Sequence, residues 1–175
     1  MEDKRFDACM EKIRAGNKEG LREIYDAYSG YIWSVVYEIV KNKENAEDVT
    51  SDFFIKLWEK SDSYRTGGGH RTYITVMARN MAIDHIRKYH REEAADIENM
   101  EENPKESQLE QQVISRMTIE EAMKTLNDGE RQIINLKIMG ELTFKEISRV
   151  MKQPMGTVTW KYRNALEKLR RCGYE

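Results

Sequence analysis

The stretch Thr143 to Arg171, TFKEISRVMKQPMGTVTWKYRNALEKLRR, constrains the chain more than any other. Thr143 and Glu146 stand as T-x-x-E, a capping box that starts a helix by satisfying its free backbone donors. Ile147, Val150 and Met151 follow at helix-face spacing. Pro154 lacks an N–H and cannot continue a helix interior, so Lys152-Gln153-Pro154 reads as a turn. Gly156 and Thr157 open a second helix with an inward stripe of Val158, Tyr162, Ala165 and Leu169. Its outward face carries Thr159, Trp160, Lys161, Arg163, Asn164, Arg170 and Arg171. That is the plan of a helix-turn-helix, whose second helix presents its N-terminal side chains to base edges in the DNA major groove. From Lys152 to Arg171 six Lys or Arg face one Glu, the surplus that phosphate contacts require. A helical hairpin with a solvated charged face is the plainer alternative.

A net charge of −2 on its face argues against nucleic acid, but its distribution answers that. Eight acids lie between Arg91 and Gln112, and without that segment the remainder is positive, with surpluses at 79–88 and 152–171. The 175 residues suit one ordinary domain or two small ones, and two prolines and ten glycines favour a mostly helical chain. No apolar run reaches the length of a membrane span, and MEDKRFDACMEK is not a signal peptide, so the expected location is the cytoplasm. Cys9 and Cys172 sit near opposite ends without CxxC or clustered His, so neither a disulfide framework, a metal nor a cofactor is expected.

Upstream, Phe6, Cys9, Met10 and Ile13 predict a short first helix ended by Gly16-Asn17. Leu21 to Val40 predicts a long one, with its aromatic residues expected in the core. Asn45 is the expected N-cap of a third helix, AEDVTSDFFIKLWEK, in which Ile55 or Lys56 joins Val49, Phe53 and Leu57 on one side. Asp48, Asp52 and Lys56 form a charged edge on it, either merely solvated or docking a partner. SDSYRTGGGH, residues 61–70, reads as a loop, and it has neither the preceding strand nor the Lys-Ser/Thr of a nucleotide cradle. A further helix spans Arg71 to Tyr89 with a basic flank of Arg79, Arg87, Lys88 and Arg91. The acidic run with Pro104 reads as a flexible linker, residues 92–111, between domains 1–91 and 112–175. Gln108 to Leu126 and Glu130 to Met139 then precede the helix-turn-helix as helices, with Asn127-Asp128-Gly129 as turn and cap. The fold class expected is all-α, two small helical domains.

Two blocks in this order resemble the two domains of a bacterial extracytoplasmic-function sigma factor of the sigma-70 family. In the first, the AED-x-x-x-D-x-F-x-K-x-W core and the A-R-N-x-A-I-D-x-I-R string are distinctive. The second, AMKTLNDGERQIINLKIMGELTFKEISRVMKQPMGTVTWKYRNALEKLR, carries P-x-G-T-V and R-x-A-x-x-x-L-R in the version PMGTV and RNALEKLR. The resemblance implies no catalytic chemistry, binding to core RNA polymerase, and direction of it to promoter DNA. The first domain would read and melt the −10 element, and the second would read the −35 element.

Carried over by residue, Asp48, Ser51, Asp52 and Lys56 would face the polymerase clamp. Arg79, Asn80, Asp84 and Arg87 would lie near the melted −10 strand, and the loop with Tyr64 and Arg65, together with Tyr73, would meet an unpaired base on which an aromatic ring can stack. Thr157, Thr159, Trp160, Lys161, Arg163 and Asn164 would face the −35 groove, with Arg163 the candidate for bidentate guanine reading. Asn164, Trp160 and Asn127 depart from the family's usual arginine, small or basic residue, and proline. An anti-sigma factor is the implied regulator, and two flexibly joined domains would be compact only when such a partner clamps them. A conventional helix-turn-helix regulator with a sensing or dimerising first domain explains the second block but not the order of features in the first. An enzyme acting on nucleic acid would need clustered carboxylates or His/Cys sets, which His70, His85 and His90 do not supply.

Overall fold

A computed structural model describes residues 1–96 and 119–172. The described residues fold as α1 (Asp3–Arg14), α2 (Lys18–Val40), α3 (Lys43–Glu59), a 3-10 turn (Ser61–Ser63), α4 (His70–Asp96), α5 (Ile119–Lys124), α6 (Asp128–Ile138), α7 (Phe144–Met151) and α8 (Met155–Arg171), without strands. The expected linker at 97–111 and the expected helix at 108–118 lie outside the described residues, while α4 carries helix into the first five positions assigned to the linker.

The helix boundaries follow local chemistry. Asn17 caps α2 by accepting from the Glu19 N–H. Lys41 ends it in the left-handed region at φ 57°. That reversal moves the start of α3 forward: Asn42, not Asn45, is the N-cap, and its side chain accepts from the Asn45 N–H. Thr143–Glu146 forms the reciprocal capping box expected of it, and Asn127–Glu130 forms a second one at the start of α6.

The first unit is α1 to α4. Phe6, Met10, Ile24, Ile32, Val36, Phe53, Leu57, Ile74 and Ala78 are fully or almost fully buried between these helices. Burying each large apolar side chain contributes about 1.5–3 kcal/mol. A Cβ on Gly20 would strike the Cys9 carbonyl, so glycine sets the close approach of α1 to α2. On α3 the inward residues are Val49, Phe53, Phe54 and Leu57. Ile55 points outward at 57% exposure and Lys56 is half-buried, so neither belongs to the apolar side assigned from spacing. The helix period places residue 55 about 180° from the mean of 53 and 57.

The second unit is α5 to α8. Leu126, Ile134 and Ala165 make a small core of its own, while Ile133, Leu136, Leu142, Ile147, Val150 and Val158 are continuous with the core of the first unit. The units therefore pack directly against each other, through α2 on α6 and α4 on α7. The expectation of units brought together only by a clamping partner does not describe this arrangement, because apolar residues of both continue one core.

Candidate nucleic-acid interface

Helix α8 is positioned by two polar arrangements. Lys152 closes α7 at φ 52°, Ser148 Oγ donates to the Gln153 carbonyl at 2.6 Å, and Lys161 Nζ donates to Gln153 Oε1 at 3.0 Å, which fixes the turn. On the inner side, Glu130 is 1% exposed. It accepts from Lys168 Nζ at 2.8 Å and from Asn164 Nδ2 while also closing its capping box. Burial is the largest single influence on the Glu130 carboxyl and pushes its pKa up, but Lys168, the Asn127 N–H and Asn164 together hold it below the ordinary 4.5.

These contacts divide the six expected groove-facing residues. Thr157, Trp160 and Arg163 recur at i, i+3 and i+6 and are exposed, Trp160 to 64%. Thr159 Oγ1 bonds back to the Met155 and Gly156 carbonyls at 3.0 Å, Lys161 is held by Gln153, and Asn164 is held by Glu130. The outward stripe is thus narrower than the sequence face. Lys168, counted in the basic surplus, is an internal partner of Glu130.

The 61–70 loop is built from below. Arg14 donates to the carbonyls of Ser61, at 3.0 Å, and Tyr64. Tyr64 is 4% exposed, its hydroxyl donates to Asp7 at 2.6 Å, and its ring packs edge-on against Phe6. It offers no face to a base in this conformation, contrary to expectation, because Asp7 and Arg14 draw it inward. Tyr73, tilted against Tyr64 with centroids 5.0 Å apart, instead lines a cleft of about 490 Å³ with Lys56, Lys60, Gly68 and Asn80. Gly67 and Gly69, on either side of Gly68, adopt φ of 76° and 80°, the left-handed region that favours glycine. Arg65 is exposed.

At the start of α4, His70 is 1% exposed, stacked on Phe6, and bonded through Nδ1 to Asp3 and through Nε2 to Tyr28. Burial lowers its pKa against the opposing pull of Asp3, which suits a neutral ring that donates from Nδ1 and accepts at Nε2. No local sequence signal pairs residues 3 and 70, and the sequence reading missed this anchor.

Along α4, Asn80, Asp84 and Arg87 are exposed. Arg79 is not: its guanidinium donates to Gln132 of α6 at 2.9 Å, and burial lowers its pKa. On α3, Asp48, Ser51 and Asp52 lie exposed beside Ile55, while Lys56 turns to the cleft. Ile55 lies exposed among these acids, where the helix period could have placed it.

Residues 24–92 match the family Sigma-70 region 2, and residues 122–171 match Sigma-70, region 4. Among curated relatives, the ECF RNA polymerase sigma factor SigW of Bacillus subtilis is 28% identical over 176 residues, covering 93% of each chain. The ECF RNA polymerase sigma factor BldN of Streptomyces coelicolor is 27% identical over 91% of this chain, which spans 62% of that relative's length. The chain belongs to the sigma-70 family, among its extracytoplasmic-function sigma factors. The sigma factor RpoE of Bartonella quintana, solved in complex with the anti-sigma factor NepR, has the same fold, with a TM-score of 0.63, 18% identity, and coverage of 89% of this chain and 96% of that one. The AED and ARN strings thus fall in region 2, and the capped helix-turn-helix in region 4. Among the described residues no helix is long and apolar enough to cross a membrane.

Proposed function

We propose that this sigma factor binds core RNA polymerase and directs it to promoters through two separate readers, without catalysis of its own and in the cytoplasm. Region 2, residues 1–91, binds the polymerase and handles the −10 element. Region 4, residues 112–175, reads the −35 element, and residues 92–111 connect them. The observation that carries this is the exposed stripe of Thr157, Trp160 and Arg163 on a helix whose opposite side is fastened to Glu130. A reader must present a few side chains at a fixed angle, and that fastening supplies the angle.

Arg163 donates to a guanine edge, Trp160 contacts a thymine methyl or the sugar, and the first N–H groups of α8 face phosphate. In region 2, the cleft beside Tyr73 and Asn80 has room for one extruded base, with Lys56 and Lys60 at its mouth for phosphate. Asp48, Ser51, Asp52 and Ile55 make the polymerase edge, where acids give steering and the isoleucine gives burial. Arg65, Asn80, Asp84 and Arg87 line the path of the strand, and Arg79 joins them once released from Gln132. An anti-sigma protein is the expected regulator.

Pull-down of core RNA polymerase with the purified protein, followed by run-off transcription on a genomic promoter pool, tests this reading. Stable binding with new start sites is the expected result. Retention of duplex DNA by the protein alone, with no polymerase binding, would instead favour a conventional helix-turn-helix regulator.

A further inference from the structure

Helix α1 precedes residues 24–92, the stretch that matches region 2, and none of its residues lines the cleft beside Tyr73 and Asn80. Its core contacts come from Phe6, Cys9, Met10 and Ile13, which are buried. A second set of side chains, Asp3, Asp7 and Arg14, recurs at i, i+4 and i+11 and so shares the neighbouring face. Asp3 and Arg14 are exposed and Asp7 is half-buried, yet all three are bonded to the segment from Ser61 to His70.

They grip that segment at two places. At the first, Arg14 donates to the Ser61 carbonyl at 3.0 Å and to the Tyr64 carbonyl, while Asp7 accepts from the Tyr64 hydroxyl at 2.6 Å. At the second, Asp3 accepts from His70 Nδ1 and from the His70 backbone N–H at 3.4 Å. Phe6 is a floor common to both: the His70 ring stacks on it with centroids 4.5 Å apart, and Tyr64 meets it edge-on at 5.5 Å. Arg65 to Gly69, RTGGG, therefore spans two points fastened to one helix and one ring.

These fastenings reach the cleft without entering it. Ser63 and Gly68 carry the loop's share of its lining. Ser63 lies between the two carbonyls that Arg14 holds, and Gly68 lies two residues before His70. Tyr73, which lines the cleft from α4, rests against the Tyr64 ring that Asp7 holds. Three consecutive glycines leave the backbone wide freedom, and a loop ordered only on binding lowers affinity by the cost of ordering it.

We propose that α1 is a splint for the base-reading loop: Asp3, Asp7 and Arg14 are positioning residues that preset the cleft for an extruded base, so base choice in the −10 element depends on side chains outside the cleft. This rests on the reading of the cleft given above. A site held firmly from beneath discriminates better than one whose supports are loose.

The test uses the full chain reconstituted with core RNA polymerase. Its ligands are single-stranded −10 oligonucleotides from a promoter found by run-off, with each position in turn made abasic or changed to another base. The position whose abasic form binds least well marks the extruded base. Asp7→Ala and Arg14→Ala should each lower affinity for the parent strand about fivefold, the size of one net hydrogen bond, and flatten base preference at that position. Affinity for the strand abasic there should be unchanged, a selectivity that a general loss of stability would not produce. Asp7→Asn keeps an acceptor for Tyr64 and should restore the wild-type preference. Trypsin reads the loop without DNA: cleavage after exposed Arg65 should be about fivefold faster in both Ala variants, at unchanged helix content by circular dichroism, and not faster in Asp7→Asn. Ala variants that keep the wild-type base preference, or that lose parent and abasic strands equally, overturn the role of α1 in reading. Cleavage at Arg65 as slow as in the wild type overturns the splint itself. If the wild type shows no base preference at any position, the reading of the cleft fails and its presetting with it, while trypsin still decides whether α1 holds the loop.

Discussion

Helices α4 and α8 both carry the faces proposed to meet nucleic acid, yet the polar side chains along them are held in different ways. On α8 the anchoring bonds stay within region 4: Asn164 and Lys168 reach Glu130, and Lys161 reaches Gln153. On α4, His70 and Thr75 are held within the first unit by Asp3, Tyr28 and Tyr31, but three further side chains cross to the other unit: Arg71 to Gly140 and Glu141, Thr72 to Glu146, Arg79 to Gln132. The proposed −35 reader is therefore aimed by its own unit however the two units stand. Access to Arg79 on the proposed −10 reader depends on their arrangement.

Breaking the internal anchor should have the largest effect. Lys168→Met leaves Glu130, 1% exposed, without its cation. Loss of one partner from a fully buried pair costs about 3–5 kcal/mol. Here about 2–3 kcal/mol is expected, since Lys168 is a third exposed and Asn164 remains. Urea denaturation should show region 4 unfolding earlier. The pH dependence follows from the sign of the Glu130 shift. Its carboxyl is held below 4.5 in the folded state, so its contribution is present above that value and lost as pH falls through the folded pKa. In Lys168→Met, burial is less opposed and the pKa rises. The stability gap between wild type and variant should therefore narrow as pH falls from the variant's raised folded pKa through the lowered one of the wild type. A gap independent of pH would show that Glu130 is not the residue left exposed to the loss.

Arg163→Ala comes next, on the outward side of the same helix. It should remove about 1–3 kcal/mol of discrimination at one base position of the −35 element while leaving the unfolding curve in place. Competition binding with single-base promoter variants measures it. A uniform loss across all bases would make Arg163 a phosphate contact and transfer the reading role to Thr157 or Trp160.

The difference between the helices also explains what the sequence could and could not disclose. Capping and periodicity are local, so the Thr143–Glu146 box, the turn at Pro154 and the inward stripe of α8 were legible. Exposed Asp48, Ser51, Asp52, Asn80 and Arg87 lie on helix faces that spacing also locates. The misplacements arise where a long-range partner decides. In the sequence Tyr64 reads as a ring available for stacking, because nothing near it in the chain announces Asp7 and Arg14. Arg79 looked as free as Asn80 because Gln132 is 53 residues away. Asn45 lost the cap to Asn42 because both fit the local pattern, and the left-handed turn at Lys41 selected between them.

A smaller effect should come from Thr143→Ala, which removes the cap of α7 and about 1 kcal/mol of region 4 stability. Glu146 belongs to that cap and also accepts from Thr72 of α4. The variant therefore touches both patterns. If the helices are held as described, thermal unfolding should shift while the relative affinities for −35 base variants stay unchanged. Altered base preference would mean that the aim of α8 is set through α7 rather than through Glu130.

The smallest effect sharpens the comparison most. Gln132→Ala removes one hydrogen bond to Arg79, for which a net contribution of about 0.5–1 kcal/mol is expected. Gln132 lies on α6, outside both proposed reading faces, so losing it should not weaken DNA contacts directly. Arg79, left in a half-buried setting without its acceptor, is driven toward solvent, where its charge is hydrated. Binding of a single-stranded −10 oligonucleotide by the full chain should therefore strengthen by about two- to fivefold, the equivalent of that hydrogen bond. Duplex −35 binding should not change, because no bond of α8 is touched. Arg79→Ala should weaken the same single-strand binding, and adding Gln132→Ala to it should then have no further effect. Equal gains in both assays would show that α6 restrains the two readers alike, and the contrast between α4 and α8 would fall.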